Sequence, residues 1–331
     1  MIADRISVVV IAKDEEDNIA GCLQSLSQYE DIVVVDDYST DRTADLAETF
    51  GARVVQHRFE SFAKQRNWAL EHIEFENEWI LFLDADEHAS PEFSSALLDE
   101  VESAPDDCAV CRVCRKTMFM GKWLRYSDGF PVWIMRVVRQ GRAKFQDSGH
   151  GEVPVPVVEG SLGTIHEPIV HYPFSKGLDD WIERHNRYST REAGLEVTEL
   201  PGLRYRELLS LDAAKRRRAI RNLGRRLPCR PLLRFAYQYF WRRGFLDGQA
   251  GLTFSTLMAT YEAMIVAKRR ELVSRSKAQA AAARATVFEN QPIGLNETAS
   301  GDRESEVGVP PGFDEECEPL EQSQDRAILP K

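Results

Sequence analysis

The sequence predicts an α/β fold with a mostly parallel sheet that is covered by helices on both faces. Short runs of consecutive apolar residues, such as 6–11, 32–35 and 79–83, have the length and composition of strands that are buried on both faces. Segments of helical periodicity separate these runs, and strand–helix alternation of this length is typical of a parallel sheet. The third observation is that each of the three runs ends in acidic residues, which places a polar edge at the ends of the strands.

The elements can be predicted in chain order from the same patterns. Strands are expected over 6–11, 32–35, 53–55 and 79–83, with helices near 19–26, 44–50 and 64–73 between them. A helix near 91–101 and strands over 108–115 and 131–139 follow, then a helix after Trp181 and a helical region over 201–285. Sheets of this type bind ligands in the crevice outside the carboxyl ends of their strands. We therefore expect a site at that edge.

Acidic residues follow three of the predicted strands. Asp14 comes after the first, Asp36 and Asp37 end the second, and Asp84 and Asp86 end the strand over 79–83. A helix cap would explain any one of these positions. Carboxylates that gather at one edge repel each other unless a cation or hydrogen-bond donors take up their charge. The pattern therefore indicates a binding site.

The segment Asp84-Ala85-Asp86 predicts the chemistry of that site. In extended chain, side chains two residues apart point the same way. Two carboxylates so placed suit a Mg²⁺ or Mn²⁺ ion that carries a diphosphate, because these cations prefer oxygen ligands and share them with phosphates. The alternative is purely structural: Asp86, or Ser90 followed by Pro91, would cap the next helix.

Several classes of nucleotide-binding protein lack support in this sequence. No G-x-G-x-x-G follows the first strand and no G-x-x-x-x-G-K-[ST] occurs anywhere, which removes the main signal of dinucleotide dehydrogenases and P-loop proteins. A nucleotidyltransferase would also use carboxylates and a metal, but its first loop is usually glycine-rich and basic. Residues 13–16 are Lys-Asp-Glu-Glu instead. A catalytically inactive carbohydrate-binding or scaffold protein is a further alternative.

Charge is unevenly distributed along the carboxyl-terminal third. The formal net charge is −11, yet residues 204–243 are rich in arginine and mix it with aromatic residues over 232–243, and residues 248–267 carry one charge, Glu262. This combination predicts a segment that lies at a membrane interface, although no stretch is apolar enough for a clear membrane span. Packing within the protein is the alternative. Nucleic acid is not an expected partner, because no binding motif accompanies the basic run.

Four motifs in this order resemble those of the family 2 glycosyltransferases of the GT-A fold. They are residues 12–18 (Ala-Lys-Asp-Glu-Glu-Asp-Asn), 33–43 (Val-Val-Val-Asp-Asp-Tyr-Ser-Thr-Asp-Arg-Thr), 64–67 (Lys-Gln-Arg-Asn) and 81–87 (Leu-Phe-Leu-Asp-Ala-Asp-Glu). Within that family the chain is similar to bacterial enzymes that add a sugar to the lipopolysaccharide core, such as the β-1,4-glucosyltransferases. The fold implied is GT-A, a Rossmann-like α/β domain, with a carboxyl-terminal helical region added.

The resemblance implies roles for individual residues. Asp37 would bind the nucleobase or ribose, Asp14 would line the uridine pocket, and Asp84 would contact the ribose or metal-bound water. Asp86 would bind the metal, and Arg66 would lie near the diphosphate. The segment His171-Tyr172-Pro173 resembles one that closes over the donor in relatives, and His171 is a candidate contact for the metal or diphosphate.

The catalytic base of an inverting transferase must be a carboxylate that takes the proton of the acceptor hydroxyl. Related enzymes carry it in an acidic motif, often His-Glu. Here Gly151 separates His150 from Glu152, so the alignment leaves two residues open. Glu152 is the predicted base and Asp147 is the alternative.

The predicted protein is a peripheral enzyme of the inner face of the plasma membrane. Residues 1–200 would be the catalytic GT-A domain, 201–285 a basic membrane-associating helical region, and 286–331 a disordered acidic tail. With Mn²⁺ or Mg²⁺, it would move one hexose, expected to be glucose, from a UDP-sugar to a lipid-linked saccharide acceptor such as the lipopolysaccharide core. Single addition is expected because processive relatives carry Gln-x-x-Arg-Trp, whereas the last two residues of Gln238-Tyr-Phe-Trp-Arg242 are reversed.

Overall fold

A mixed sheet forms the centre of the molecule in a computed structural model that describes residues 5–147, 152–157, 160–199, 205–227 and 229–289. Within these ranges the sheet has nine strands in the order β3-β2-β1-β4-β8-β6-β11-β5, and β7 pairs with β6. The bounds of its strands are β1 (Ile6–Ala12), β2 (Ile32–Asp36), β3 (Arg53–Gln56), β4 (Trp79–Asp84), β5 (Glu87–His88), β6 (Val110–Phe119), β7 (Lys122–Trp123), β8 (Val132–Arg139) and β11 (Leu162–His171).

Two groups of strands run parallel within this sheet. Strands β3, β2, β1 and β4 pair in parallel, and so do β6 and β11. Strand β8 lies between the two groups and is antiparallel to both β4 and β6. The predicted α/β fold with a mostly parallel sheet is therefore confirmed, with one antiparallel strand inserted near its middle.

Helices cover both faces of the sheet. On one face α1 (Ile19–Ser25), α2 (Thr43–Thr49) and α4 (Pro91–Ser103) pack against β-strand side chains such as Val8, Val10 and Leu81. On the other face α3 (Phe62–His72) packs with Val9, Ile80 and Phe82. The alternation of side chains along β1 and β4 feeds both cores, which explains why these strands are continuously apolar.

A separate hairpin lies beside α3. It consists of β9 (Ala143–Asp147) and β10 (Glu152–Pro156), whose backbones pair antiparallel with Asp147 opposite Glu152. The two candidates for the base, Asp147 and Glu152, are thus the last residue of β9 and the first residue of β10. Phe145 of β9 is buried against Phe82 of β4, and this apolar contact holds the hairpin on the sheet.

The carboxyl-terminal part of the described chain is helical, as predicted. It comprises α5 (Gly177–Glu199), α6 (Ala213–Gly224), α7 (Arg230–Ala236) and α8 (Gly248–Glu289). Residues 226–272 belong to the same compact unit as the sheet, while 205–225 and 273–289 belong to a second unit in which α6 packs with the 3₁₀ turn Tyr205–Leu209. The predicted division at residues 200 and 285 stays a prediction, and the predicted tail lies outside the described residues from 290 onward.

Helix α8 joins the sheet unit through polar and apolar contacts. Ala250 and Phe254 pack with Phe119 and Leu124. Arg230 of α7 bridges Glu262 (2.5 Å) and Glu196 of α5 (2.7 Å). By length and composition the segment Gly244–Gln279 is also apolar enough to cross a membrane, which the sequence analysis did not expect, and 33% of its most apolar stretch is buried in the protein. Core helices of soluble proteins can have the same length and composition.

Candidate active site

Asp86 and His171 face each other at the carboxyl edge of the sheet. Strand β4 ends at Asp84, Ala85 and Asp86 form a turn, and β5 returns antiparallel to the end of β11, with Glu87 opposite His171. The backbone N–H of Tyr172 donates to the Asp86 carbonyl (2.9 Å). Asp86 Oδ2 thereby lies 3.3 Å from His171 Nε2, with 15% and 13% of the two side chains exposed.

This turn corrects one expectation from the sequence. Asp84-Ala85-Asp86 was expected to be extended, with both carboxylates pointing the same way. The chain reverses at Ala85 because β5 must pair with β11, and the two carboxylates acquire different partners. The capping alternative belongs to Ser90, whose Oγ accepts from Phe93 N (3.2 Å). Asp86 is therefore available for another role.

The charge of His171 controls the ionisation of Asp86. Burial by itself raises the pKa of the Asp86 carboxyl, but His171 together with two arginines outweighs it, and the pKa lies below its usual value. The charges of Arg184 and Arg115 also lower the pKa of Asp86. Asp86 is therefore an ionised carboxylate near neutral pH.

Asp84 is held by two arginines. Arg66 Nη2 lies 3.1 Å from its Oδ1, and Arg136 Nη2 lies 2.6 Å from its Oδ2. Arg66 is fully buried, with its guanidinium 5.5–5.8 Å from the ring centroids of Phe62, Phe82 and Phe145. The two guanidinium groups fix the carboxylate on which the turn begins.

Arg136 and Glu87 are residues that the sequence reasoning did not assign to the site. Glu87 is fully buried; Arg136 Nη2 is 3.2 Å from its Oε1, and its Oε2 accepts from Asp84 N (3.0 Å). Burial raises the pKa of Asp84 and of Glu87, and Arg136 limits the cost of bringing the two carboxylates together. The feature of the sequence that could have identified Arg136 is its position inside an otherwise apolar strand, Val-Trp-Ile-Met-Arg-Val-Val.

Asp14 and Asp37 lie on adjacent loops at the same edge. The register pairs Ala12 with Asp36, which aligns the loops after β1 and β2. Asp14 Oδ1 accepts from Thr40 N (2.7 Å), and Asp37 Oδ1 accepts from Phe59 N (3.0 Å). The predicted nucleotide-binding acids are therefore brought together, as acceptors on two loops that are hydrogen-bonded to their surroundings.

Lys176, which the sequence reasoning also missed, links the loop after β11 to the loop after β1. Its Nζ donates to the Asp14 carbonyl (2.6 Å) and lies 2.6 Å from Glu15 Oε1. Burial raises the pKa of Glu15, with a smaller contribution from the charge of Asp86. The influence of Asp86 on Glu15 shows that the first loop and the Asp86 turn share one electrostatic environment.

The two candidates for the catalytic base lie on the β9–β10 hairpin. Their backbones are paired, and the side chains of Asp147 and Glu152 lie outside the described part of the structure. Asn67 of α3 holds the hairpin: its Nδ2 donates to the Phe145 carbonyl (2.8 Å), and its Oδ1 accepts from Phe145 N (2.7 Å). Neighbours in the motif of residues 64–67 thus contact two parts of the site, Arg66 at Asp84 and Asn67 at the hairpin.

A family model described as "Glycosyl transferase family 2" matches residues 7–155, which include β1 to β9 and the Asp86 turn. These residues are a glycosyltransferase family 2 domain. The match confirms the resemblance that the motifs carry, and it identifies the general activity as glycosyl transfer.

Curated relatives match most of the length of this chain. The lipopolysaccharide core biosynthesis glycosyltransferase LpsC of Rhizobium meliloti (strain 1021) is 26% identical over 269 residues, which are 77% of this chain and 90% of the relative. An uncharacterized glycosyltransferase of Rickettsia typhi is 26% identical over 286 residues, 82% of this chain and 89% of that protein. The similarity therefore continues past the family domain into the helical region.

Solved structures show weaker similarity to this glycosyltransferase. A glucosyl-3-phosphoglycerate synthase from Mycobacterium tuberculosis, in complex with Mn²⁺, uridine-diphosphate and glucosyl-3-phosphoglycerate, is 23% identical and covers 36% of this chain and 45% of its own, with a TM-score of 0.29. A mannosyl-3-phosphoglycerate synthase from Rubrobacter xylanophilus is 20% identical and covers 34% and 40%, with a TM-score of 0.30. At these TM-scores the ligands of those enzymes carry no argument for this chain.

Proposed function

We propose that this glycosyltransferase moves one hexose, glucose in the first instance, from a UDP-sugar to a lipid-linked envelope glycan such as the lipopolysaccharide core, with inversion at the anomeric carbon. The observation that carries the proposal is the Asp86–His171 pair, which stands at the same sheet edge as Asp14 and Asp37; the three aspartates lie within the residues that the family 2 model matches. Each of these residues belongs to a motif predicted to bind the donor.

A divalent cation fits the Asp86–His171 pair. Asp86 Oδ2 and His171 Nε2 lie 3.3 Å apart, so the carboxylate and the imidazole would hold one cation together. Among the residues that the structure describes, no three His, Cys, Asp or Glu side chains form a ready cation cage. Mg²⁺ and Mn²⁺ are often held by one or two protein ligands together with substrate phosphates, and Asp86 and His171 would be those ligands here.

The roles of the other acids follow from their positions. When bound, the cation would offset the negative charge of the leaving diphosphate. Asp14 and Asp37 would accept hydrogen bonds from the uridine, because a carboxylate has a second oxygen beyond the one its own loop uses. Asp84 would reach the ribose or metal-bound water from the partly exposed side of its carboxylate. Contact of Arg66 with the diphosphate stays a prediction; its guanidinium is buried against Asp84.

The base is proposed to be Glu152, with Asp147 as the alternative. Both stand where β9 leads into β10, at the end of a hairpin that Asn67 holds next to Arg66. A base on this hairpin would take the proton from the acceptor hydroxyl as the bond to the anomeric carbon forms, and the sugar–phosphate bond breaks on the opposite side.

An exposed apolar surface supports a membrane-bound acceptor. Large side chains are exposed along α7 and the turns that follow it, including Trp241 (80% exposed), Leu232 (74%) and Phe240 (61%). Tyr237, Phe245 and Leu246 extend this surface, and Arg243 is exposed among them. Exposed apolar patches rimmed by basic residues are typical of membrane contact. We propose that the protein binds the inner face of the plasma membrane through this surface, where anionic head groups would attract its arginines.

Turnover with purified protein tests the function. Full-length protein is incubated with UDP-glucose, Mn²⁺ and lipid-linked core saccharide, and products are identified by mass spectrometry. One added hexose of inverted anomeric configuration is expected, with loss of product in EDTA and on Asp86→Ala, and retention on Asp17→Ala, an exposed acid of the first loop. Absence of any added sugar across a panel of UDP-sugars would contradict the proposal. An inactive scaffold instead predicts that Asp86→Ala protein still supports its role in cells.

A further inference from the structure

A cavity of about 360 Å³ lies behind the Asp86 turn, outside the donor site described above. It is open to solvent and is bordered by the end of α1 and the turn after it, the start of α4, and the ladder formed by β5 and β11. The lining residues that matter here are Gln24, Ser27, Gln28, His88, Ser90 and Tyr172. This volume is at the lower end of the range for small-molecule sites and suits one or two sugar rings.

The polar groups of this cavity fall into two sets. Ser25 and Ser90 hold the backbone: Ser25 Oγ accepts from Ala89 N (3.1 Å), and Ser90 Oγ caps α4. Gln24, Ser27 and Gln28, by contrast, make no side-chain hydrogen bond to any residue that the structure describes. Gln24 and Ser27 are exposed and Gln28 is half-buried, so two amides and one hydroxyl at the edge of the cavity can donate to and accept from a ligand.

The aromatic wall and the charge of the cavity narrow the ligand class. The rings of His88 and Tyr172 are in contact (centroids 4.8 Å apart), and 36% of Tyr172 is exposed. No lysine, arginine or carboxylate is among the lining residues, which argues against a phosphate, a carboxylate or a cation as ligand. Amides and a hydroxyl beside an exposed aromatic ring match a neutral saccharide, whose hydroxyls need both donors and acceptors and whose carbon face stacks on a ring.

The cavity shares a wall with the proposed active site. His88 follows Asp86 by two residues, and Tyr172 is the neighbour of His171 in the same ladder. Two residues of extended chain span about 7 Å, which is comparable to the length of one sugar residue. We propose that this cavity binds the part of the glycan acceptor that does not react, and that it holds the glycan chain next to Asp86 and His171.

The role of this cavity in holding the acceptor rests on the proposed function. Binding of a saccharide to the cavity can be measured without turnover. Saturation-transfer NMR on the full-length protein would use methyl β-glucoside, methyl α-mannoside and lactose as probes. Ser27→Trp fills the cavity from an exposed position, and the double variant Gln24→Ala, Gln28→Ala removes its amides. Gln140→Ala, an exposed glutamine on the turn after β8, is the matched control.

Saturation transfer to at least one probe is expected in the native protein and in Gln140→Ala, with its loss in the two cavity variants. In turnover assays the double variant should raise KM for the glycan acceptor at least tenfold and leave KM for the UDP-sugar within twofold. No transfer to any probe, or equal transfer in Ser27→Trp, overturns the inference. If turnover fails altogether while the NMR result holds, the proposed reaction is wrong and the saccharide site stands.

Discussion

Arg136 Nη2 lies 2.6 Å from Asp84 Oδ2 and 3.2 Å from Glu87 Oε1, so one guanidinium joins the two carboxylates that flank the turn carrying Asp86. Removing it would leave two buried carboxylates close together. Loss of one partner from a buried ion pair costs about 3–5 kcal/mol. We expect Arg136→Met to lower the free energy of unfolding by about that amount, measured by urea denaturation. Lys144→Met, which breaks the exposed pair with Glu71, should cost less than about 1 kcal/mol. If both substitutions lower the free energy of unfolding equally, Arg136 does not stabilise the two buried carboxylates.

Asp31 predicts how stability depends on pH. Its carboxylate is buried and accepts from Ser7 Oγ, from Glu76 N (3.0 Å) and from Arg53 (2.7 Å). Burial raises the pKa of Asp31, but these hydrogen bonds outweigh burial and hold the pKa below its usual value of 3.8. A lowered folded-state pKa stabilises the protein above the unfolded pKa, and that stability disappears as pH falls through the folded value.

We therefore expect Asp31→Asn to be less stable than the native protein by about 1–3 kcal/mol at pH 7. The difference should shrink as pH falls below about 4, the range in which unfolded aspartate takes up a proton. Urea titrations at several pH values measure it. A difference that stays constant down to pH 2.5 would assign the loss to packing and not to charge.

Lys176 predicts an effect on donor binding. By holding the Asp14 carbonyl and Glu15 it fixes the first loop against the segment after β11. Lys176→Met should raise the Kd for UDP, measured by calorimetry with Mn²⁺, about tenfold, which corresponds to about 1.4 kcal/mol. Lys64→Met, which removes an exposed pair with Glu60, is the control and should leave the Kd unchanged. An unaltered Kd in Lys176→Met would show that the loop holds its position without this contact.

The identity of the base can be separated from donor binding. Glu152→Gln is expected to lower kcat by at least 100-fold with little change in the Kd for UDP, because general base catalysis contributes about 10²–10⁴. Asp147→Asn should lower kcat by less than tenfold. Retention of activity within a few fold in Glu152→Gln, with a large loss in Asp147→Asn, would transfer the role to Asp147.

Vesicle binding tests the apolar surface. Phe240→Ser with Trp241→Ser should abolish flotation with vesicles of anionic phospholipid at physiological salt. Turnover of a water-soluble acceptor glycan should be unchanged, because neither residue touches the site. Phe50→Ser, an exposed apolar residue after α2, is the control. Flotation of the double variant at the native level would show that these side chains do not anchor the protein.

The sequence was most informative where a local pattern determines the structure. Apolar runs predicted β1, β2 and β4, and Ser90 followed by Pro91 marked the start of α4. Strand ends identified Asp14, Asp37 and Asp86 because polar residues after a buried strand must lie at an edge. These features depend only on residues that are close together in the chain.

Features that depend on distant pairing could not be predicted in the same way. The reversal at Ala85 exists because β5 pairs with β11, more than 80 residues later. Arg136 reaches Asp84 only because β8 is inserted beside β4. Likewise, nothing in the sequence around Glu262 indicated its ion pair with Arg230. The sequence therefore could not show that α8 packs against the rest of the protein.

The position of β8 also makes the site sensitive to insertions and deletions. In the described sheet this strand is the hydrogen-bonded bridge between β4 and β6. Because side chains alternate along a strand, a slip by one residue would turn Arg136 to the other face of the sheet. Adding or deleting a single codon between Val132 and Arg136 would then strip Asp84 of a counter-charge, although no residue of the acidic motif itself had changed. Length variation in this glycosyltransferase should therefore fall on the turns around β8 and spare the strand.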